Sequence, residues 1–288
     1  MTGKNGQVGW KLQRTLAMMG NVVAVDRSTI DLSQPDSMIK MIREIKPDVV
    51  VNAAAYTGVD KAESDPDLAM KINGLAPGIL AEEAKRLGAV LIHYSTDYIF
   101  DGTTPTPYTE EDTPVPVNMY GKTKLAGEQA IQAVGIPSLI FRSSWVYSAR
   151  GKNFMRTILR LAKEREELRI VNDQFGAPTW SRMIAEATAQ ILAQIYVGRG
   201  GSVEGFAQNT GIYHLTAGGE TSWYGFAKAI LENVWREGTQ SPPRLIPIST
   251  AEYPLPAVRP TYSVLSNEKC KRTFGIELPQ WKSSLGLC

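Results

Sequence analysis

The segment MTGKNGQVGW (residues 1–10) decides the fold, because it spaces three glycines three residues apart ahead of a helix-like pattern. Gly3 suits a tight turn with a positive φ, since glycine lacks a Cβ. Gly6 allows the backbone to approach a pyrophosphate, and Gly9 allows the helix to pack closely on a sheet. N–H groups at the helix start then face the phosphates. Although an ordinary turn also fits, the segment favours a loop that holds a dinucleotide.

A second strand pattern, NVVAVD (21–26), follows the glycine loop and ends in Asp26. Asp26 lies 20 residues beyond Gly6, close to the spacing expected for a carboxylate that binds the adenosine ribose. An exposed strand-end carboxylate is the simpler interpretation. Arg27 could instead hold a 2′-phosphate, so the sequence leaves both NADH and NADPH open.

The start of the chain departs from this pattern, because only Met1 and Thr2 precede Gly3. A glycine loop of this kind normally follows a β-strand. That strand would be central in the sheet, so its absence would leave two ladders unpaired and a slot in the core empty. We expect a start codon placed too late or a truncated gene.

Short β-branched runs alternate with helical patterns, which predicts a Rossmann-type α/β fold with a doubly wound parallel sheet. The expected strands are 21–26, 48–52, 89–95 and 138–141, and the expected helices are about 7–19, 35–45, 60–72, 74–87 and 118–134. The less regular second half predicts helices at about 152–166, 180–197 and 222–236, strands near 168–171, 212–215 and 245–248, and a loop at 198–211. We expect a dinucleotide-binding domain at 1–148 and a smaller, mainly substrate-binding domain at 149–288. Parts of about 165–215 are expected to return to the first domain.

Composition excludes several classes of function. A net charge of +2 without a basic run gives no nucleic-acid surface, and no apolar run is long enough to span a membrane. Cys270 and Cys288 do not make a disulfide framework, and the N-terminus resembles no signal peptide, so we expect a cytoplasmic protein. The two histidines, His93 and His214, lack the neighbours of a metal site, so no metal is expected. His93 is expected to be a packed strand residue.

Three side chains predict proton-transfer chemistry. Tyr120 and Lys124 are four residues apart in YGKTK and share a helix face. A nearby ammonium favours the phenolate, so Lys124 should lower the pKa of Tyr120 and allow it to act as an acid or base. Thr96 ends a strand at the ligand crevice, where its hydroxyl can bind the same substrate oxygen. Alone, the Tyr–Lys spacing is more often an exposed helical pair.

The order of these motifs changes that interpretation. The glycine loop, the strand-end acid, VNAAAYT (51–57), the strand-end STD and YGKTK resemble the extended short-chain dehydrogenase/reductase superfamily. Within it, the chain resembles the dTDP-4-dehydrorhamnose reductase family from Gly3 to about Trp281. The most specific segments are RSSWVY (142–147) and DQFGAPT (173–179), and the others include VNAAAYTGVDKAESDPDLAMKIN, HYSTDYIFDG and YHLTAGGETSWYGFA.

The resemblance implies a reductase that uses NADPH or NADH and a dTDP-sugar. Hydride would pass to the keto carbon of dTDP-4-dehydro-6-deoxy-L-mannose, giving dTDP-L-rhamnose. Tyr120 would donate the proton, Lys124 would hold the nicotinamide ribose, and Thr96 would complete the catalytic set. The cofactor phosphates would contact Gly3, Gly6, Gln7, Val8 and Gly9. Its adenosine end would contact Asp26, Asp31 and Leu32. The rest of its channel would be lined by Ala55, Tyr56, Thr57 and Tyr94. Asp97 and Trp145 would contact the sugar nucleotide.

Simpler roles remain open for two of these positions and for Arg259. Trp145 could be a core aromatic, Asp97 could cap a strand end, and Arg259 could either reach a substrate phosphate or be an ordinary loop residue. Two other functions also remain open: a non-catalytic cofactor-binding subunit, such as the regulatory subunit of methionine adenosyltransferase, and a reductase of another dTDP-keto sugar.

The chain departs from the family pattern beyond its first strand. The resemblance implies that the final helix is missing as well. Some family members form a magnesium-bridged dimer through glutamates, and the matching positions here are Lys11 and Arg182. Because a cationic side chain does not ligate magnesium, we expect a monomer or weak dimer without that metal.

Overall fold

A computed structural model describes residues 1–235 and 242–288. Four parallel strands form its central sheet, in the order β1–β2–β3–β8. The strands of the described residues are, in chain order, β1 (Val49–Asn52), β2 (Val90–Thr96), β3 (Ser138–Ser143), β4 (Val146–Tyr147), β5 (Glu167–Val171), β6 (Phe175–Gly176), β7 (Thr179–Trp180), β8 (Gly211–His214), β9 (Thr221–Ser222) and β10 (Arg244–Ile248). The predicted α/β class is confirmed.

Helices connect these strands and cover both faces of the sheet. They are α1 (Gln7–Thr15), α2 (Pro35–Ile45), α3 (Val59–Ser64), α4 (Pro66–Met70), α5 (Ala76–Arg86), α6 (Met119–Val134), α7 (Phe154–Glu164), α8 (Ser181–Ile195), α9 (Val203–Ala207), α10 (Trp223–Val234), α11 (Glu268–Phe274) and α12 (Trp281–Leu287). No helix among the described residues is long and apolar enough to cross a membrane.

Alternating side chains of β2 build two cores, one on each side of the sheet. Val90 and Ile92 pack with residues of α1 and α8. Leu91, between them, packs with residues of α5 and α6 on the other face. Because a strand covered on both faces buries every side chain, its sequence reads as a continuous apolar run. This arrangement is the doubly wound sheet that the sequence predicts.

The strand predicted at 21–26 is wrong, because this segment forms no regular strand. Three hydrogen bonds join its backbone to the chain start. The Met1 ammonium donates to the Val23 carbonyl at 2.8 Å, Val25 N–H donates to the Met1 carbonyl at 2.9 Å, and Lys4 N–H donates to the Val25 carbonyl at 3.2 Å. On the other side, Thr2 forms a single parallel bridge with Asn52. A strand needs a partner along its length, and within the described part of the chain residues 1–4 bond the backbone of this segment at Val23 and Val25 alone.

A cavity of about 340 Å³ lies beside this short pairing, between segment 21–25 and β1. Apolar side chains from both faces of the sheet line it, including Leu16, Ile42, Leu80 and Leu192. The cavity occupies the slot that the sequence analysis assigns to a central strand.

The second half builds a smaller apolar core around β5 and β10, which pair in parallel. Side chains from α7, α10 and α12 pack there, with Phe226 and Trp281 buried among them. Helix α8 packs against α1, and β8 joins the central sheet. The division into domains 1–148 and 149–288, with parts of about 165–215 returning to the first, stays a prediction.

Four local predictions need correction. The helix expected at 60–72 is divided at Asp65, because Pro66 supplies no N–H and disfavours a helical residue before it. The loop expected at 198–211 contains helix α9, and helix α12 is present although the resemblance implies that the final helix is missing. The helix expected at 222–236 ends at Val234, and position 236 lies outside the described residues.

Candidate active site

The glycine loop wraps tightly around the start of α1. Gly3 has φ +73°, and a Cβ there would lie 2.7 Å from the Ala53 carbonyl oxygen. A Cβ at Gly9 would lie 2.1 Å from the Gly3 carbonyl oxygen, so the helix closes directly on the loop. Gly6 is exposed and caps α1 without a capping side chain. The first-turn N–H groups therefore face outward, which fits the phosphates of a dinucleotide.

Gln7 follows Gly6, and its side chain turns away from the loop surface. Its amide donates to the Val146 carbonyl at 3.1 Å and accepts from Ser148 and Asn153 at 3.1 and 2.9 Å. The side chain thereby ties the glycine loop to the segment after β3. Its backbone, like that of Val8, remains the part suited to phosphate binding.

The acidic side chains predicted at the adenosine end are held by their own loops. Asp26 accepts hydrogen bonds from Ser28 and Asn5 and pairs with Lys4 at 3.2 Å. The hydrogen bond from Ser28 is the main reason that the pKa of Asp26 lies well below its ordinary value. Asp31 accepts from the Ser33 hydroxyl at 2.7 Å.

Leu32 is buried in the apolar cluster of α2 and α5, so its side chain faces the core. The carboxylates of Asp26 and Asp31 therefore follow segment 21–26, whereas the Leu32 side chain is part of the core.

The residues predicted along the cofactor channel follow β1 and β2. Tyr56 is fixed through its main chain: its N–H donates to the Asn73 side chain at 2.8 Å, and its carbonyl accepts from it at 3.0 Å. Ala55 is half-buried and Thr57 is exposed. Tyr94 places its hydroxyl 2.7 Å from Thr188 on α8, so its main chain, not its ring, faces Lys124.

The catalytic candidates meet at the carboxyl end of β2. Thr96 is the last residue of β2, and α6 begins beside it with Asn118 as its cap, accepting from Gly121 N–H at 2.8 Å. A Cβ at Gly121 would lie 2.0 Å from the Tyr98 carbonyl oxygen, so α6 abuts the strand end. The Tyr120 ring packs edge-on against Tyr98 at 6.0 Å.

The Tyr120 phenol has a raised pKa in this arrangement. Burial raises its pKa from 10 to about 12, and the interaction with the Thr96 hydroxyl only partly opposes this effect. The spacing of Tyr120 and Lys124 predicts a lowered pKa for Tyr120, and this prediction is wrong in direction. The pKa is raised instead because burial of the phenol has the largest effect on it. The buried Lys124 ammonium donates to the Tyr94 carbonyl at 2.6 Å. Burial also lowers the pKa of Lys124 to about 8, while Glu128 opposes this shift.

Asp97 lies next to the catalytic candidates and is nearly fully buried. It accepts hydrogen bonds from Ser263 at 2.6 Å and from Thr96 at 3.1 Å. Burial raises the pKa of Asp97 to about 7. Ser263 is 166 residues away along the chain, so no local sequence pattern could predict this contact.

Trp145 adopts φ +45°, an uncommon backbone conformation for a residue with a side chain. Its ring stacks on Trp223 with centroids 3.5 Å apart, and a Cβ at Gly176 would lie 2.5 Å from it. Because it is half-buried, the ring presents a flat surface and is not a fully buried core aromatic.

Arg259 forms a two-point ion pair with Asp60, at 2.7 and 3.0 Å. Its guanidinium therefore ties the segment after β10 to α3. The described residues include no cluster of three or more His, Cys, Asp or Glu side chains that could hold a metal ion.

The parallel sheet, the glycine loop and the Thr–Tyr–Lys set together define a class, the short-chain dehydrogenase/reductases. Within this class, the family model for the "RmlD substrate binding domain" matches residues 1–288. A curated dTDP-4-dehydrorhamnose reductase of Burkholderia thailandensis is 53% identical, over 100% of this chain and 96% of its own length. The chain belongs to the dTDP-4-dehydrorhamnose reductase family.

Solved structures agree with this assignment. A dTDP-4-dehydrorhamnose reductase of Clostridium acetobutylicum superimposes with a TM-score of 0.89 at 38% identity, covering 99% of this chain and 96% of the other. The Bacillus anthracis enzyme, solved in complex with NADP, gives 0.87 at 33% identity, covering 99% and 95%.

Proposed function

We propose that this chain reduces dTDP-4-dehydro-6-deoxy-L-mannose to dTDP-L-rhamnose with NADPH or NADH. The observation that carries the proposal is the meeting of Thr96, Tyr120 and Lys124 at the end of β2, beside a glycine loop with open helix N–H groups. The names of the relatives support the choice of substrate. The NADP complex of the Bacillus anthracis relative supports a nicotinamide cofactor.

The glycine loop holds the cofactor by its phosphates in this proposal. Gly3, Gly6 and Gly9 bring the backbone close, and the first-turn N–H groups of Gln7 and Val8 donate to the phosphates. Asp26, Asp31 and the backbone of Leu32 hold the adenosine end, and Ala55, Tyr56, Thr57 and Tyr94 line the channel. When bound, the dihydronicotinamide supplies hydride to the keto carbon of the sugar.

Tyr120 delivers the proton. With a pKa of about 12, its phenol stays protonated at neutral pH and is ready to donate to the oxygen that becomes the alcohol. The Thr96 hydroxyl binds the same oxygen and orients it. One N–H of the Lys124 ammonium donates to the Tyr94 carbonyl, and another donates to the nicotinamide ribose.

The sugar nucleotide lies against Trp145 and Asp97. The flat Trp145–Trp223 stack offers an apolar wall, which suits the face of a sugar or base. Asp97, with a pKa of about 7, offers both acceptor and donor to a sugar hydroxyl near neutral pH. We further propose a cytoplasmic monomer or weak dimer, since the matching dimer positions hold Lys11 and Arg182.

The experiment is turnover of NADPH and NADH with the dTDP-4-keto-6-deoxy-L-sugar made in situ, comparing wild type with Tyr120→Phe. Removing the proton donor while keeping the ring should lower kcat by about 10²–10⁴-fold and leave the cofactor Kd unchanged.

Tyr253→Phe is the matched control, because Tyr253 is exposed and far along the chain from α6. Near-normal turnover by Tyr120→Phe would contradict the mechanism. Cofactor binding without any wild-type turnover would instead favour the non-catalytic subunit.

A further inference from the structure

His93 lies at the centre of β2 and is completely buried. Its Nε2 is 3.2 Å from the Lys124 Nζ, and its Nδ1 is 3.0 Å from the side-chain amide of Asn52. The sequence pattern predicts only a packing role for His93. The structure instead places this polar ring between a core amide and the candidate catalytic lysine.

We propose that His93 is a positioning residue for Lys124, a neutral imidazole protonated on Nδ1 whose Nε2 accepts a hydrogen bond from the lysine ammonium. The effect on catalysis rests on the proposed function, whereas the protonation site of the ring does not.

The donor inventory requires this protonation site. A neutral imidazole has one donor and one acceptor, and a lysine ammonium has three donors and no acceptor. If Nε2 carried the proton, two N–H donors would face each other in a site closed to water. Such an arrangement leaves buried donors unsatisfied and is costly. Nε2 is therefore the acceptor, and the proton lies on Nδ1.

Asn52 completes the arrangement on the opposite side of the ring. Its amide lies 2.6 Å from the Thr2 hydroxyl as well as 3.0 Å from His93 Nδ1. The oxygen and nitrogen of an amide can exchange places without moving any heavy atom. With its oxygen toward His93, Asn52 accepts the Nδ1 proton and donates to Thr2. Hydrogen bonds then run from Thr2 beside the glycine loop to Lys124.

The surrounding charges keep His93 neutral. Burial, and then the positive charge of Lys124, hold the pKa of His93 well below its ordinary value. Glu128, the other charged group acting on Lys124, is itself paired with Arg142 at 2.7 Å. The ring therefore acts as a fixed acceptor and not as a titrating group.

The consequence is a lysine held at two points. The Tyr94 carbonyl accepts one N–H and His93 Nε2 accepts a second. One N–H remains for a ligand, and its direction is set by the other two. A lysine without the His93 contact would rotate more freely and bind the cofactor ribose less well.

The protonation site can be measured directly, because the chain contains only two histidines. Protein labelled with ¹⁵N-histidine gives two imidazole patterns in a long-range ¹H–¹⁵N spectrum, and His93→Gln identifies the remaining one as His214. We expect His93 to be neutral with its proton on Nδ1 at pH 7. A proton on Nε2, or a charged imidazolium, would overturn the proposal whether or not the chain is an active reductase.

Two variants then separate positioning from structure. The Oε1 of Gln reaches about as far as Nε2 and can still accept from Lys124, whereas the shorter Asn reaches only the Nδ1 position. His93→Asn should raise the NADPH Kd about tenfold, as expected when a charged donor loses its partner. His93→Gln should restore most of the binding.

The Gln and Asn variants also distinguish a positioning role of His93 from a structural one. Both variants are also measured by thermal unfolding. The loss of cofactor binding should depend on whether the side chain at position 93 offers Lys124 an acceptor, and not on the melting temperature. Equal losses in Gln and Asn, or wild-type binding by Asn, would overturn the positioning role. In an active enzyme, kcat should follow the same order. Absence of wild-type turnover would count against the proposed function alone, since the Kd and the spectrum need no turnover.

Discussion

The two sides of β1 differ sharply. Toward β2, the pairing continues residue by residue from Val49–Val90 to Asn52–His93. On the opposite side, Thr2 is the only one of the described residues that bridges to β1, and a cavity of about 340 Å³ follows. We call these the closed side and the open side. The candidate catalytic residues and His93 all lie on the closed side.

This difference shows that apolar, β-branched sequence does not make a strand by itself. Segment 21–26 has the composition of β1, but in the described structure the backbone of residues 21–25 forms hydrogen bonds only with Met1 and Lys4. On the closed side, paired ladders and helices on both faces fix the strand ends on which the chemistry depends. The closed side should therefore respond much more strongly to mutation than the open side.

The largest effect is expected at the buried ion pair of the closed side. Glu128 and Arg142 are each about 1–2% exposed and bond at 2.7 Å, with further contacts near 3.1 Å. Glu128→Gln removes the charge that compensates a buried guanidinium. Breaking such a pair costs about 3–5 kcal/mol in the free energy of unfolding, measurable by urea denaturation.

The matched change on the open side is Lys4→Gln, which breaks the ion pair with Asp26. Both partners are partly exposed there, so the expected loss is within about 1 kcal/mol. Similar losses of unfolding free energy in the Lys4 and Glu128 variants would contradict the difference proposed between the two sides.

A second effect should appear as a pH dependence at Asp97. Its pKa is about 7 in the folded chain and 3.8 ordinarily. Between these values the folded state holds a proton that the unfolded state has lost, so stability falls as pH rises from about 4 to 7. The side chain of Asp97→Asn cannot ionise, so the variant should lack this pH dependence of stability.

The measurement is the difference in unfolding free energy between wild type and Asp97→Asn at pH 4, 5.5 and 7. We expect wild type to lose about 2–3 kcal/mol relative to the variant over this range. Parallel curves would mean that Asp97 is ionised in the folded chain throughout.

Much of this architecture could be predicted because its signals are local. The three glycines stand three residues apart, and Tyr120 and Lys124 share a helix face, so each motif carries its own geometry. The alternation of apolar runs with helical patterns likewise reflects burial on both faces of the sheet. The apolar pattern of 21–26 failed as a predictor because a strand also requires a neighbour.

The rest depends on contacts between distant residues. Ser263 reaches Asp97, and Asn52 reaches His93, only after the chain has folded. The pKa of Tyr120 was predicted in the wrong direction because spacing gives the nearness of Lys124 but not the depth of burial. Sequence spacing predicts which groups meet, whereas their electrostatics follow from what surrounds them.

The smallest expected effect tests the contrast most closely, because it compares one added methylene at two paired positions. Val49 lines the cavity, and Val90 is its partner in register and is completely buried. Val90→Ile forces an extra group into a packed core and should destabilise the chain by about 1–3 kcal/mol. Val49→Ile extends into empty space and should stabilise it by about 0.5 kcal/mol, below the roughly 0.8 kcal/mol of a fully buried methylene. Opposite signs in urea denaturation would establish that the open side is underfilled, whereas a loss at both positions would mean that residues around the cavity already close it in solution.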